Sequence, residues 1–213
     1  INLNLSVLGK RADGYHVLDS LVTFAVLGDE LSVSSSDELT LSYEGAFASD
    51  LKDSFVHESD DLVLKAATAL QQESGTSMGA ALQLTKSVPL SAGLGGGSAD
   101  AAACLRLLNS FWKLDWSMEA LMTLGANIGS DIPACLMNAP CRMSGRGEHV
   151  TKIASLPILF CVLVNPGVHL STAEIFRKLN ISKIDADKRN TPNEKLPDLT
   201  TYEALYNLSL IHI

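Results

Sequence analysis

The chain has 213 residues, 46% of them apolar, with 16 Lys and Arg against 24 Asp and Glu, giving a net charge of −8 and an isoelectric point near 5.0. That length and apolar fraction are enough for a packed core in one large domain or two small ones, and the acidic balance argues against nucleic acid or an anionic membrane as partner. No apolar run approaches the roughly 20 residues of a membrane span. No signal peptide is evident, and Cys104, Cys135, Cys141 and Cys161 lack C-x-x-C spacing, so they read as reduced core thiols of a cytoplasmic protein.

In chain order, Ile1, Leu3, Leu5 and Val7 alternate with polar residues, which predicts a half-buried strand. Residues 20–27, 30–34 and 39–43 are short, β-rich and separated by Gly28-Asp29 and serine-rich turns, as in an antiparallel meander. Asp60 or Asp61 can cap a helix over residues 62–73 that Gly75 stops. Residues 81–86 return as a strand into a glycine-rich loop, and a long helix follows over 98–112 with Ser98 as its N-cap. Ser117 caps another to about Ile128. Residues 158–164 read as a buried strand, and Ser171 with Glu174 and Thr200 with Glu203 form capping boxes for two further helices. The segment 184–197 is a surface loop rich in Lys, Asp, Asn and Pro. No internal repeat is present, and the pattern is a mixed α/β sandwich, an α+β fold, with a boundary near 148–156.

The run from Pro89 through Leu94 and Gly95-Gly96-Gly97-Ser98 to Ala102 joins a glycine loop to an alanine-rich helix. Glycines let a polyanion approach the backbone, and the free N–H groups and dipole of a helix start favour negative charge. The Walker A pattern is excluded because no lysine follows the glycines. The dinucleotide pattern fails at Ser98 and lacks a second strand ending in an acidic residue; a hydrolase elbow fails at Asp100. A turn serving only tight packing is the plainer alternative, opposed by the preceding strand.

The same loop resembles the second motif of the GHMP kinases, the small-molecule kinases named after galactose, homoserine, mevalonate and phosphomevalonate. Residues 1–5, Gly9-Lys10-Arg11-Ala12-Asp13-Gly14-Tyr15-His16, Gly129-Ser130-Asp131-Ile132-Pro133, Gly145-Arg146-Gly147-Glu148 and Asn165-Pro166-Gly167-Val168 are similar, in order, to the branch acting on 4-diphosphocytidyl-2-C-methyl-D-erythritol. The resemblance runs to about Arg177, with a trace at 189–192. It implies a two-lobe architecture: an N-terminal ATP- and substrate-binding lobe over 1–150, folded like the second domain of ribosomal protein S5, and a partial ferredoxin-like lobe over 151–207. Residues 208–213 break the polar pattern of a surface helix and read as a non-native tail, and the family's motif places an active-site lysine immediately before Ile1.

The implied activity is transfer of a phosphoryl group from ATP, with Mg²⁺, to the 2-hydroxyl of 4-diphosphocytidyl-2-C-methyl-D-erythritol in non-mevalonate isoprenoid synthesis. Asp131 is implied as general base; residue type alone favours a turn cap, and the resemblance reverses that. Tyr15 and His16 match positions that hold the cytosine end, with Asn2 and Phe176 in the same pocket, although Phe176 also fits a helix core. Pro89, Gly93, Leu94, Gly95, Gly96, Gly97 and Ser98 are implied to cradle the ATP phosphates, with Lys86 nearby; Lys86 could equally end an exposed strand. Asp61 stands where the family usually has Asn beside adenine. His57, His149, His169 and His212 read as surface or loop residues. No protein metal site is expected, and the partners expected are a small cytidine diphosphate derivative and a monomeric or weakly dimeric state. A mevalonate- or homoserine-type kinase, and a non-catalytic nucleotide-binding fragment, are the alternatives.

Overall fold

The computed structural model describes residues 1–49, 61–90, 93–164, 175, 176, 178, 179 and 199–201. They form an α+β fold in two compact units, one of residues 1–24 with 138–213 and one of residues 25–137. The boundary expected near 148–156 falls inside the first unit.

The first unit carries a four-stranded antiparallel sheet in the order β1 (Asn2–Lys10), β2 (His16–Val22), β6 (Cys141–Gly145), β7 (His149–Lys152). The hairpin between β1 and β2 turns through Asp13-Gly14, where Gly14 takes φ +91° and Arg11 and Tyr15 close the loop through a 2.7 Å backbone bond. An Asp-Gly pair supports such turns because glycine enters the left-handed region without steric cost. The hairpin between β6 and β7 turns through Arg146-Gly147-Glu148, with the Gly147 amide on the Ser144 carbonyl. Lys10 pairs with His16, Leu18 with Gly145 and Ser144 with His149, so the register brings both turns to one end of the sheet. β2 ends at Val22 rather than running to residue 27: Val26 and Leu27 are exposed and have no face to bury.

The second unit holds β3 (Glu30–Ser34), β4 (Leu39–Glu44) and β5 (Ala80–Thr85) with α1 (Leu62–Ser74), α2 (Gly96–Phe111), α3 (Met118–Ile128) and α4 (Ile132–Met137). The sheet order is β3-β5-β4, which corrects the expected meander: β5 inserts between β3 and β4, antiparallel to the first and parallel to the second. A parallel partner needs a crossover connection, and α1, lying between β4 and β5 in sequence, is part of it. Asp61 caps α1, its Oδ1 accepting from the Val63 and Leu64 amides while the Tyr43 hydroxyl donates to Oδ2, and Gly75 ends the helix in the left-handed region. Ser117 caps α3 through the Ala120 amide.

The core of this unit follows from period. Ala80, Leu82 and Leu84 alternate inward along β5, and Val63, Ala66, Ala67 and Leu70 of α1 meet Ala101, Ala102, Cys104, Leu105 and Leu108 of α2. Fully burying a leucine contributes about 1.5–3 kcal/mol, and the alanines let α1 and α2 approach closely. Trp112 closes the far end, its indole N–H donating to the Gly79 carbonyl at 3.1 Å.

Residues 158–164 differ from expectation. They form no strand, and Ile158, Phe160, Val162 and Val164 are exposed rather than buried. The helix start expected from Ser171, the residues after Thr201 in the helix expected from Thr200, the Asn165–Val168 and Arg189–Pro192 motifs, His57, His169, His212 and the loop 184–197 lie outside the described residues.

Candidate nucleotide and acceptor sites

In the second unit β5 passes through Lys86 into the glycine loop. Gly93 and Gly95 take φ +70° and +69°, a region that costs an L residue about 1–2 kcal/mol. A Cβ on either would meet nothing within 4 Å, so glycine is required there by conformation and not by space. Gly95, not Ser98, is the N-cap of α2, and no side chain caps the helix. This corrects the expected Ser98 cap: a left-handed glycine lets the helix start at Gly96 and places Ser98 inside its first turn. The first amides of any helix lack intrahelical acceptors, so Gly96, Gly97 and Ser98 offer bare N–H groups at the positive end of the helix dipole, a fit for the phosphates of ATP. Pro89 and Leu94 are half-buried at the edge of the loop, and Leu90 packs against the core.

Lys86 does not end an exposed strand. Its ammonium is buried, paired with Asp29 and with Asp100 at 2.9 Å. Asp29 also accepts from the amides of Ser87 at 2.6 Å and Val88 at 2.9 Å. Burial pushes the Asp100 carboxyl up to about 6, the Lys86 ammonium opposing the shift and the Asp29 carboxylate adding to it.

Asp131 stands immediately before α4, which packs against α2 and α3. The Ile132 amide bonds to the Gly129 carbonyl and the Cys135 amide to the Asp131 carbonyl, fixing the backbone on both sides. The side chain keeps solvent-accessible surface, yet surrounding protein desolvates it enough to raise its pKa above the ordinary carboxylate value, against a hydrogen bond from Ser130. A carboxylate of raised basicity, backed by Ile132 and Pro133, can accept a proton from a hydroxyl.

In the first unit His16 opens β2 and is 9% exposed, and its Nε2 is a buried polar atom with no hydrogen-bond partner among the described residues. Phe176, which is helical with Ile175 and Lys178, faces it with ring centroids 5.1 Å apart. Tyr15 is 53% exposed, with its amide donating to Asp13 and its ring beneath the Arg146 guanidinium, 5.3 Å from centroid to Cζ. Glu148 accepts from the Arg146 amide at 2.6 Å and lies 3.9 Å from the Arg11 guanidinium and from the His149 ring. Asn2, on β1, donates from Nδ2 to Ser20 Oγ.

Sequence reasoning missed Arg146 as a neighbour of Tyr15, although its motif stood out; only the strand register sets the two turns side by side. It also missed Asp29 and Asp100 as partners of Lys86. Among the described residues no group of three His, Cys, Asp or Glu could hold a metal ion, and no helix is long and apolar enough to cross a membrane. None of the four cysteines forms a disulfide; Cys104 and Cys141 are buried and Cys135 is half-buried, but Cys161 is exposed and is not the core thiol expected.

The GHMP kinases N terminal domain matches residues 61–139. Proteins named 4-diphosphocytidyl-2-C-methyl-D-erythritol kinase are similar along most of the chain. The one from Parvibaculum lavamentivorans is 45% identical over 207 residues, covering 96% of this chain and 70% of its own length. That from Paramagnetospirillum magneticum is 46% identical, covering 83% and 60%, and that from Ruegeria pomeroyi is 47% identical, covering 92% and 65%. The chain therefore spans about 60–70% of the length of these relatives. A crystal structure of 4-(cytidine 5'-diphospho)-2C-methyl-D-erythritol kinase superposes with a TM-score of 0.63 at 29% identity, covering 83% of this chain and 60% of that one.

Proposed function

The chain belongs to the 4-diphosphocytidyl-2-C-methyl-D-erythritol kinases of the GHMP kinase family, and from that premise we propose that the protein transfers the γ-phosphoryl group of ATP to the 2-hydroxyl of 4-diphosphocytidyl-2-C-methyl-D-erythritol. The observation that carries the choice of acceptor is His16. A buried polar atom without a partner costs about 1–3 kcal/mol, and a nucleobase edge bonding to Nε2 removes that cost. Phe176 beside it and Tyr15 before it supply aromatic faces for the base, a common means of reading nucleobases. Asn2 lines the same pocket in this reading. A mevalonate or homoserine acceptor has no base to meet the imidazole.

Phosphoryl transfer asks a protein mainly to position the reactants and neutralise charge. The backbone amides of residues 93–98 hold the phosphates. Mg²⁺ bound with ATP would screen charge on the transferring group, with the amides at the start of α2 holding the phosphates beside it. Asp131 takes the proton as the acceptor oxygen bonds to the γ-phosphorus, the bond to the bridging oxygen breaks, and ADP leaves. Residues 1–150 are in this reading the ATP- and substrate-binding domain and 151–207 the beginning of a second.

The test is ATP-dependent phosphorylation, followed by ADP release and ³¹P resonance, with the diphosphocytidyl substrate beside mevalonate and homoserine. Transfer to the first alone supports the assignment; transfer to either of the others overturns it.

A further inference from the structure

The glycine loop leaves β5 through Lys86, Ser87 and Val88 and rejoins regular structure at Gly96, and both stems meet one buried cation. On the entry side, Asp29 accepts from the Ser87 and Val88 amides while also pairing with the Lys86 ammonium. On the exit side, Asp100, one turn into α2, accepts from the same ammonium at 2.9 Å. Gly96, the first residue of α2, lies over the pair: a Cβ there would sit 3.8 Å from both Asp29 Oδ2 and Lys86 Nζ. The Lys86 backbone is fixed as well, its amide on the Glu44 carbonyl at 2.7 Å. An ammonium already committed to two carboxylates has little charge left to lend to a phosphate.

We propose that Lys86, Asp29 and Asp100 are positioning residues that clamp the two stems of the phosphate-binding loop, so that its amides are aimed before nucleotide arrives. The consequence for ATP rests on the kinase assignment. The clamp itself does not, because it is a property of the nucleotide-free protein. Loops set in their bound conformation beforehand bind more tightly because less ordering remains to be done.

The experiment compares the full chain with Asp100→Ala and Asp100→Asn by two signals: the affinity for N-methylanthraniloyl-ATP, and amide hydrogen exchange at residues 93–98 without nucleotide. In Asp100→Ala the clamp predicts binding at least 5-fold weaker and faster exchange at those amides. Asp100→Asn, which keeps an oxygen acceptor for Lys86, is expected to stay within about 2-fold of the parent. A phosphate-binding Lys86 held back by Asp100 predicts the opposite, tighter binding in Asp100→Ala, and that result, or unchanged exchange, overturns the proposal. Should Asp100→Ala fail to fold, Lys86→Met with Asp100→Leu removes that ion pair and leaves Asp29 to the Ser87 and Val88 amides, and it is read by the same signals. A folded parent that does not bind the nucleotide overturns the kinase assignment instead, and the exchange rates still decide the clamp.

Discussion

The His16 imidazole and the Phe176 ring stand with centroids 5.1 Å apart and planes tilted by 31°, and the buried Nε2 of that imidazole has no partner among the described residues. This pairing gives opposite expectations for binding and stability. His16→Leu removes an unsatisfied polar atom and should raise the melting temperature, while raising the acceptor KM roughly 5- to 150-fold for the loss of a hydrogen bond of about 1–3 kcal/mol. The KM for ATP should not move. Thermal melts and kinetics with each substrate varied in turn check this, and a KM change shared equally by both substrates contradicts it.

Arg146 over Tyr15 is a smaller effect. A cation above an exposed ring contributes about 0.5–1 kcal/mol, so Arg146→Ala should raise the acceptor KM roughly 2- to 5-fold by loosening the ring. Lys lacks the planar stacking surface of a guanidinium, so Arg146→Lys should recover only part of the loss. Tyr15→Ala, which removes the stacking face, should cost more than either, as acceptor titrations of the three variants would show.

Asp131→Asn should lower kcat by about 10²–10⁴ and leave ATP binding intact. Desolvation holds this carboxyl above its ordinary value of 3.8. The base acts only when deprotonated, so in the parent kcat should rise with pH through an apparent pKa above that value. A pH–rate profile flat from pH 4 to 8, or retained turnover in the Asn variant, would remove Asp131 from the reaction.

The sequence announced the parts of the molecule whose logic is local. The cap of α1 at Asp60 or Asp61, which the structure gives to Asp61, Gly75 as its stop and Ser117 as the cap of α3 were legible because a cap is a matter of one side chain and the next three amides. The order β3-β5-β4 was not, because which strands become neighbours depends on the crossover through α1 and not on the turn after β3. The same holds within the site. Tyr15, His16 and the glycine run stood out by motif. The Lys86–Asp29–Asp100 group spans 71 positions in sequence, and no spacing announces it. The Ser98 cap was misplaced because a left-handed Gly95 can begin a helix with no side-chain cap at all.

Two glycines separate strain from crowding. Gly95→Ala should weaken ATP binding, because φ +69° must be adopted at a cost of about 1–2 kcal/mol, although its Cβ would touch nothing. Gly125→Ala places a Cβ 2.6 Å from Ile132 Cγ2 and 3.3 Å from Leu136 Cδ1, where α3 meets α4. Overpacking of this kind costs about 1–3 kcal/mol, so it should lower the melting temperature without changing the KM for ATP. Melts and nucleotide titrations on the two variants should give these opposite patterns.

Asp100 gives the clamp a pH dependence of definite sign. Burial raises its carboxyl to about 6, against an ordinary value of 3.8, so the native state holds this proton at pH values where the unfolded chain has released it. Stability depends on pH in proportion to the difference in bound protons between the unfolded and native states. Between pH 4 and 6 the native state binds more, so the Asp100 contribution favours folding at the acid end and is lost as pH rises through about 6. Lys86 acts elsewhere: its raised pKa leaves its contribution intact across this range, to be lost only above the ordinary lysine value of 10.5. Asp100→Asn removes the titration, so the melting temperature of the variant relative to the parent should climb from pH 4 to 6 and then level. A difference that stays constant over that interval would mean that Asp100 ionises in the folded protein as it does in the unfolded chain.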